Sequence, residues 1–207
     1  MVNYNGLAKY YDFLSRLVFR KSQVKAQVCL LAYVSANSSI LIVGGGTGWI
    51  LEELTNIYPS GLKIDYVELS SQMIALSKKR KYGNNKVNFI NIPVEEFNRT
   101  DNYDVILTPF LFDNFLFDKA AMVFHKLDML LKKKGKWLQV DFVYDKYKSK
   151  LWQKIMLRIM YFFFKIVCNI EASQLINIDV FFEKKYKLIF TKMFYARFIK
   201  SAVYEKQ

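Results

Sequence analysis

The sequence predicts an α/β protein with a mostly parallel sheet and helices on both of its faces. Short apolar, β-branched runs alternate with segments of helical spacing along most of the chain. No repeat, low-complexity tract or Pro/Gly/Ser linker interrupts that alternation, so the 207 residues are expected to form one domain. The first apolar run enters a Gly-x-Gly-x-Gly turn that opens a helix, an arrangement typical of parallel α/β sheets.

Each element has its own signal. Residues 7–14 predict a short helix, and residues 22–34 a second, with Ser22 as its cap. The first strand covers 40–43 and its helix runs from 49 to about 56. The second strand covers 63–68, and Ser70 or Ser71 caps a helix that reaches about 81 and stops near Gly83. The third strand, 87–92, ends at Pro93, and the fourth covers 103–108. A helix over about 118–133 has Met122, His125, Leu127, Met129 and Leu130 available to its inner side. Gly135 ends it, and Lys132 to Lys134 suit its C-terminus. The fifth strand is 136–142. A long apolar helix follows Ser149, and the last strands lie near 187–194 and 197–204.

The glycine turn carries the most functional information. In Ile40-Leu41-Ile42-Val43-Gly44-Gly45-Gly46-Thr47-Gly48, a buried strand meets a turn where backbone can approach a ligand closely. About twenty residues on, the second strand ends in Glu68, where a Rossmann-type site holds ribose hydroxyls. A dinucleotide fingerprint needs Gly-x-Gly-x-x-Gly, and Trp49 stands where its third glycine belongs. The plain alternative is a glycine-rich turn without a ligand; an acid at this distance favours the ligand.

Gly44-x-Gly46-x-Gly48 resembles motif I of the class I S-adenosylmethionine-dependent methyltransferases, and the resemblance spans the whole chain. It is nearest in flavour to the ubiquinone/menaquinone C-methyltransferase-like group. Tyr10-Tyr11-Asp12 is similar to that group's N-terminal signature, Val67-Glu68-Leu69-Ser70 to its second motif, and residues 103–110 with Asn114 to its fourth. The resemblance implies a Rossmann-like sheet of seven strands ending in an antiparallel pair. It also implies S-adenosylmethionine as cofactor and S-adenosylhomocysteine as product. Gly44, Gly45, Gly46 and Gly48 would give backbone room and Glu68 would bind the ribose. Tyr11, Leu69, Val94 and Thr108 would line the cofactor. In this division residues 1–38 are a helical cap, 39–143 the cofactor-binding half, and 144–207 the acceptor-side helix and final strands.

Three departures accompany the resemblance. The acid two residues before the first glycine is replaced by Ile42. An Asp after the third strand is replaced by Pro93. Thr108 stands where aminopropyltransferases, whose glycine turn is similar, need an Asp.

The reaction such a fold supports is an in-line displacement whose reactivity belongs to the cofactor, so few side chains are diagnostic. Asp113 and Asp141 lie at the carboxyl edge of the sheet and are the base candidates; the alternative is loop capping. His125, the only histidine, and Tyr144 are lesser candidates. Cys29 and Cys168 match no metal or redox spacing and read as buried thiols, and no metal site is expected.

Of 31 basic residues 25 are lysines, and the excess is uneven: residues 1–118 carry a net +1 and residues 119–207 a net +12. Such a field would favour an anionic acceptor or an anionic membrane surface, while solvated lysines on helix faces are the plainer and slightly favoured reading. Nucleic acid would call for more arginine and a recognisable module. No apolar stretch is long enough to span a bilayer, and the opening residues lack a secretory pattern. A cytoplasmic location is expected.

The segment 151–168 is apolar nearly all round, with Lys154, Arg158 and Lys165 as its charged stripe. Three readings stay open: a core helix, a lid over a greasy acceptor pocket, or an interfacial helix on anionic lipid. The same patch would also serve a homodimer. The expected activity is methyl transfer to a small hydrophobic or anionic acceptor, quinone-, polyketide- or lipid-like. A non-catalytic module binding S-adenosylmethionine or S-adenosylhomocysteine is the alternative, and an aminopropyltransferase the third.

Overall fold

The computed structural model describes Gly6, Ala172 and residues 17–100, 102–144, 150–168 and 174–207. The predicted helix at 7–14 and the Tyr10-Tyr11-Asp12 signature lie outside the described residues.

The chain runs α1 (Ser22–Val28), β1 (Ser39–Val43), α2 (Trp49–Ile57), β2 (Ser60–Val67), α3 (Ser71–Ser77), β3 (Asn84–Ile90) and β4 (Tyr103–Pro109). It continues through α4 (Phe117–Leu130), β5 (Leu131–Phe142), α5 (Leu151–Cys168), α6 (Asp179–Phe182), β6 (Tyr186–Phe194) and β7 (Ile199–Lys206). The seven strands form one sheet in the order β3-β2-β1-β4-β5-β7-β6. The first five are parallel, and β7 pairs antiparallel with both β5 and β6. The direction of winding reverses between β1 and β4, so a crevice opens beyond their carboxyl ends.

Alternation along the strands builds a core on each face. Ile40, Ile42, Leu107 and Val140 pack against α1, α2 and the inner side of α5. Leu41, Val43, Ile106 and Trp137 pack against α4 and α6. Trp137 is fully buried, stacked on Phe124 at 4.8 Å and met edge-on by Phe182 at 5.2 Å.

Several boundaries differ from expectation. The first described helix stops at Val28, and the chain tightens into a 3₁₀ turn, Leu31–Tyr33. That turn eclipses residues three apart and so directs both Leu31 and Val34 into the core. Lys21, not Ser22, occupies the N-cap position of α1. The β2 and β3 strands begin three residues early because the buried Asn85 amide completes the edge. It accepts from the Leu62 amide at 2.9 Å and donates to the Tyr58 carbonyl at 2.8 Å.

The largest correction is at the end of α4. The helix ends at Leu130, and Lys132 to Lys134 lie on the following strand rather than at a helix C-terminus. Leu131 is buried and pairs with Tyr103, whereas Lys136 pairs with Val105. The exposed lysines are looped out at that register shift, with Lys134 at φ 61° and Lys132 paired to Asp104 at 2.6 Å. Met122, His125 and Met129 face outward, while Ala120, Val123, Phe124, Leu127 and Leu130 form the inner stripe.

Candidate functional site

The crevice beyond β1 and β4 is a cavity of about 960 Å³. The glycine turn forms one wall. Gly46 has φ +63°, a conformation L side chains rarely adopt, and a Cβ there would project toward the open side, meeting only Met73 Sδ at 3.9 Å. Gly48 is different: it has φ +79°, and its Cβ would come within 2.4 Å of Ser77 Cβ. Gly48 therefore lets α2 and α3 pack closely, and it does not line the cavity, whereas Gly44, Gly45 and Gly46 do. Arg80 braces the turn from behind, its Nε donating to the Thr47 carbonyl at 3.0 Å.

Glu68 enters from the end of β2. Its side chain is buried, accepting from the Gly46 amide at 3.0 Å on one oxygen and from the Ser70 amide at 2.9 Å on the other. Burial raises its carboxyl above the usual range, opposed by the amides of Ser70, Gly46 and Leu69. Asn91 donates to the carbonyls of both Glu68 and Leu69, at 2.9 and 2.8 Å, and so sets the course of this loop. Nothing in the sequence singled out Arg80 or Asn91; each follows an element end, where loop-bracing side chains are common. Leu69 and Val94 also line the cavity, the latter from the 3₁₀ turn Val94–Glu96 after Pro93.

Thr108 is not brought to the site. It is fully buried, and its hydroxyl accepts the Trp137 indole N–H at 2.9 Å, on the face of the sheet packed under α4. Tyr11 lies outside the described residues. His125 is exposed on α4, and Tyr144 does not line the cavity.

The two base candidates separate in role. Asp113, in the 3₁₀ turn Phe112–Asn114 after β4, lines the cavity, and Asn114 donates to its carboxylate at 2.6 Å. Asp141 is buried behind it on β5, accepting the amides of Phe112 at 3.1 Å and Phe142 at 3.0 Å. Burial, and then the charge of Asp141, push the Asp113 carboxyl well up. Burial raises Asp141 to about 7 against several donated hydrogen bonds. The turn that carries Asp113 starts from Phe110 at φ 51°, a strained conformation for a bulky residue.

The α5 helix forms the roof. Gln153 anchors its start, donating to the Ala196 carbonyl at 2.9 Å and accepting from the Lys150 amide at 2.6 Å. Tyr161 donates to the Asp113 carbonyl at 3.2 Å, tying the roof to the turn of the base candidate. Burial and the two carboxylates push the Tyr161 phenol upward. Met156, Leu157 and Met160 point inward, but Leu151, Ile159, Phe162 and Ile166 remain exposed, so α5 is not a core helix. Cys168 is buried at its end and Cys29 half-buried; both are free thiols.

A family model described as a methyltransferase domain matches residues 41–137, from β1 into β5. With the sheet order and the glycine turn, this match gives residues 41–137 the likeness of a methyltransferase domain, and the chain has the fold of S-adenosylmethionine-dependent methyltransferases. The residues present fit that cofactor, because the Gly46 cradle is one a Cβ would fill and Glu68 stands beside it.

The chain is 35% identical over 99 residues to malonyl-[acyl-carrier protein] O-methyltransferase of Bacillus anthracis, a match covering 46% of this chain and 36% of that protein. The chain thus spans about a third of the length of the curated relatives it matches. A SAM-dependent methyltransferase from Aquifex aeolicus superposes with a TM-score of 0.64 at 14% identity, over 98% of both chains. The 1,6-didemethyltoxoflavin-N1-methyltransferase of Burkholderia thailandensis, solved with bound S-adenosylhomocysteine, gives 0.63 at 13% identity, over 98% of this chain and 86% of that one. At such identities these likenesses concern the fold.

Proposed function

We propose that the protein transfers the methyl group of S-adenosylmethionine to a small hydrophobic or anionic acceptor held beneath α5. The observation that carries this reading is the composition of the cavity beyond β1 and β4. One end holds the glycine turn, Glu68, Leu69 and Val94; the other holds Asp113 and Tyr161 under an apolar roof. Its volume of about 960 Å³ is at the upper end of the roughly 300–1,000 Å³ of small-molecule sites, enough for donor and acceptor together.

The cofactor, when bound, supplies an electrophilic methyl group on a sulfonium. Gly44, Gly45 and Gly46 would let the backbone approach it, Glu68 would accept from the ribose hydroxyls, Leu69 would pack on the adenine, and the Val94 amide would meet a ring nitrogen. In this reading residues 39–143 hold the donor and 144–207 the acceptor. The apolar roof excludes water and aligns the acceptor with the methyl group. Asp113 removes the proton of a phenol or an activated carbon, and Asp141 behind it positions the turn and raises its basicity. The acceptor range includes quinone-, polyketide- and lipid-like molecules. The malonyl group named for the Bacillus anthracis relative is its anionic end, and a carboxylate needs no base. A cytoplasmic location belongs to the same reading.

Ile42, fully buried where the family places an acid, favours a second reading: a module that binds the cofactor without turnover. Calorimetric titration with S-adenosylmethionine and S-adenosylhomocysteine, then transfer of labelled methyl from the donor into quinone and lipid extracts, tests the two. Micromolar binding lost in Glu68→Ala, with label incorporated, supports methyl transfer. Binding without incorporation into any acceptor supports the second reading, and no binding overturns both.

A further inference from the structure

We propose that the outer face of α5 seats the protein on an anionic lipid surface, so that the roof of the cavity is also its membrane contact. The inference does not rest on the methyl-transfer reading. Leu151, Ile155, Ile159, Phe162 and Ile166 follow one another at intervals of four, four, three and four residues, which places them in one stripe along the helix. All five are exposed, Leu151 at 73%, Phe162 at 68% and Ile166 at 67%. Five large aliphatic or aromatic side chains in line, over a helix about 27 Å long, form a contiguous apolar surface rather than scattered exposure.

Charge identifies the occupant. Lys154, Arg158 and Lys165 are exposed and run along one flank of the stripe, and α5 contains no acidic residue. Lys150 precedes the helix, and Arg197 is adjacent to the Ala196 carbonyl that anchors Gln153. Residues 119–207 as a whole carry 19 basic and 7 acidic side chains. A self-complementary dimer face would set this flank near its own copy, whereas anionic headgroups meet it directly while the stripe enters the acyl boundary. Among the described residues no helix is long and apolar enough to cross a membrane, so α5 lies along the surface. Met156, Met160 and Tyr161 line the cavity from the other side of α5, and Ile155 and Ile159, exposed on the stripe, also border it, so the cavity lies behind the lipid contact and reaches its edge.

The test is co-sedimentation of the full chain with vesicles of phosphatidylcholine alone and of phosphatidylcholine with phosphatidylglycerol. Binding is expected to the anionic vesicles, weak to the neutral ones, and reduced by raising the salt. Phe162→Glu with Ile166→Glu should abolish it, and Lys154→Gln with Arg158→Gln and Lys165→Gln should weaken it about tenfold or more. None of these five residues lines the cavity, so the circular-dichroism spectrum and thermal melt, together with affinity for S-adenosylhomocysteine, serve as the folding control. Equal binding by wild type and both variants, or no binding to anionic vesicles, overturns the proposal. So does a wild-type dimer in sedimentation velocity that the Glu variants split and that binds no vesicles, since α5 would then be a self-association face.

Discussion

The Gly46 amide donates to the Glu68 carboxylate at 3.0 Å, joining the first and second strand ends across 22 residues of sequence. The acid expected to hold a ligand therefore also shapes the turn that cradles it. Its second oxygen is held by Ser70, so the carboxylate is oriented before any ligand arrives. Glu68→Gln keeps the volume but not the paired acceptors. It should weaken S-adenosylhomocysteine binding by about tenfold or more, and Glu68→Ala further, in calorimetric titration.

The glycines should separate by role. Gly48→Ala drives a Cβ into Ser77 and forces φ +79° on an L residue, so it should cost about 2 kcal/mol or more of stability in denaturant unfolding. Gly46→Ala meets no atom closer than 3.9 Å. It should cost about 1 kcal/mol for its backbone conformation, and its larger effect should be on cofactor affinity.

Thr108→Val removes the acceptor of the buried Trp137 N–H. Loss of about 1–3 kcal/mol is expected, with S-adenosylhomocysteine affinity unchanged. A drop in affinity at unchanged stability would return Thr108 to the site.

Asp113 and Asp141 both bind their protons more tightly in the folded chain, Asp141 with a value of about 7. An acid with a raised folded pKa favours the folded state below its unfolded pKa of about 4 and loses that contribution as pH rises toward the folded value. Wild-type melting temperature should therefore fall between pH 5 and pH 8 relative to Asp141→Asn, as thermal melts across that range would show. Asp113→Asn should abolish transfer to a phenol or carbon acid and spare transfer to a carboxylate, which needs no base.

Much of this protein was legible in its sequence because the signals are local. The run from Ile40 through Gly48 specifies strand, turn and helix by backbone conformation alone, and Glu68 follows at the distance one helix and one strand require. The seven strands, their order of appearance and the span of α5 follow from hydrophobic period and chain punctuation. Ends of elements were less legible, because Leu131 leaves α4 to pair with Tyr103, a partner 28 residues away that no local pattern names.

Which face a residue takes was decided only by tertiary structure. Thr108, on β4, and Asp113, in the turn that follows it, lie five residues apart, yet one is sealed against Trp137 and the other lines the cavity. A strand's alternation says that neighbours oppose each other, not which of them meets the ligand. The same holds for α5. An apolar helix has no preferred side until Gln153 and Tyr161 bind to Ala196 and Asp113, and those contacts turn Met156 and Met160 inward and leave Phe162 and Ile166 outside.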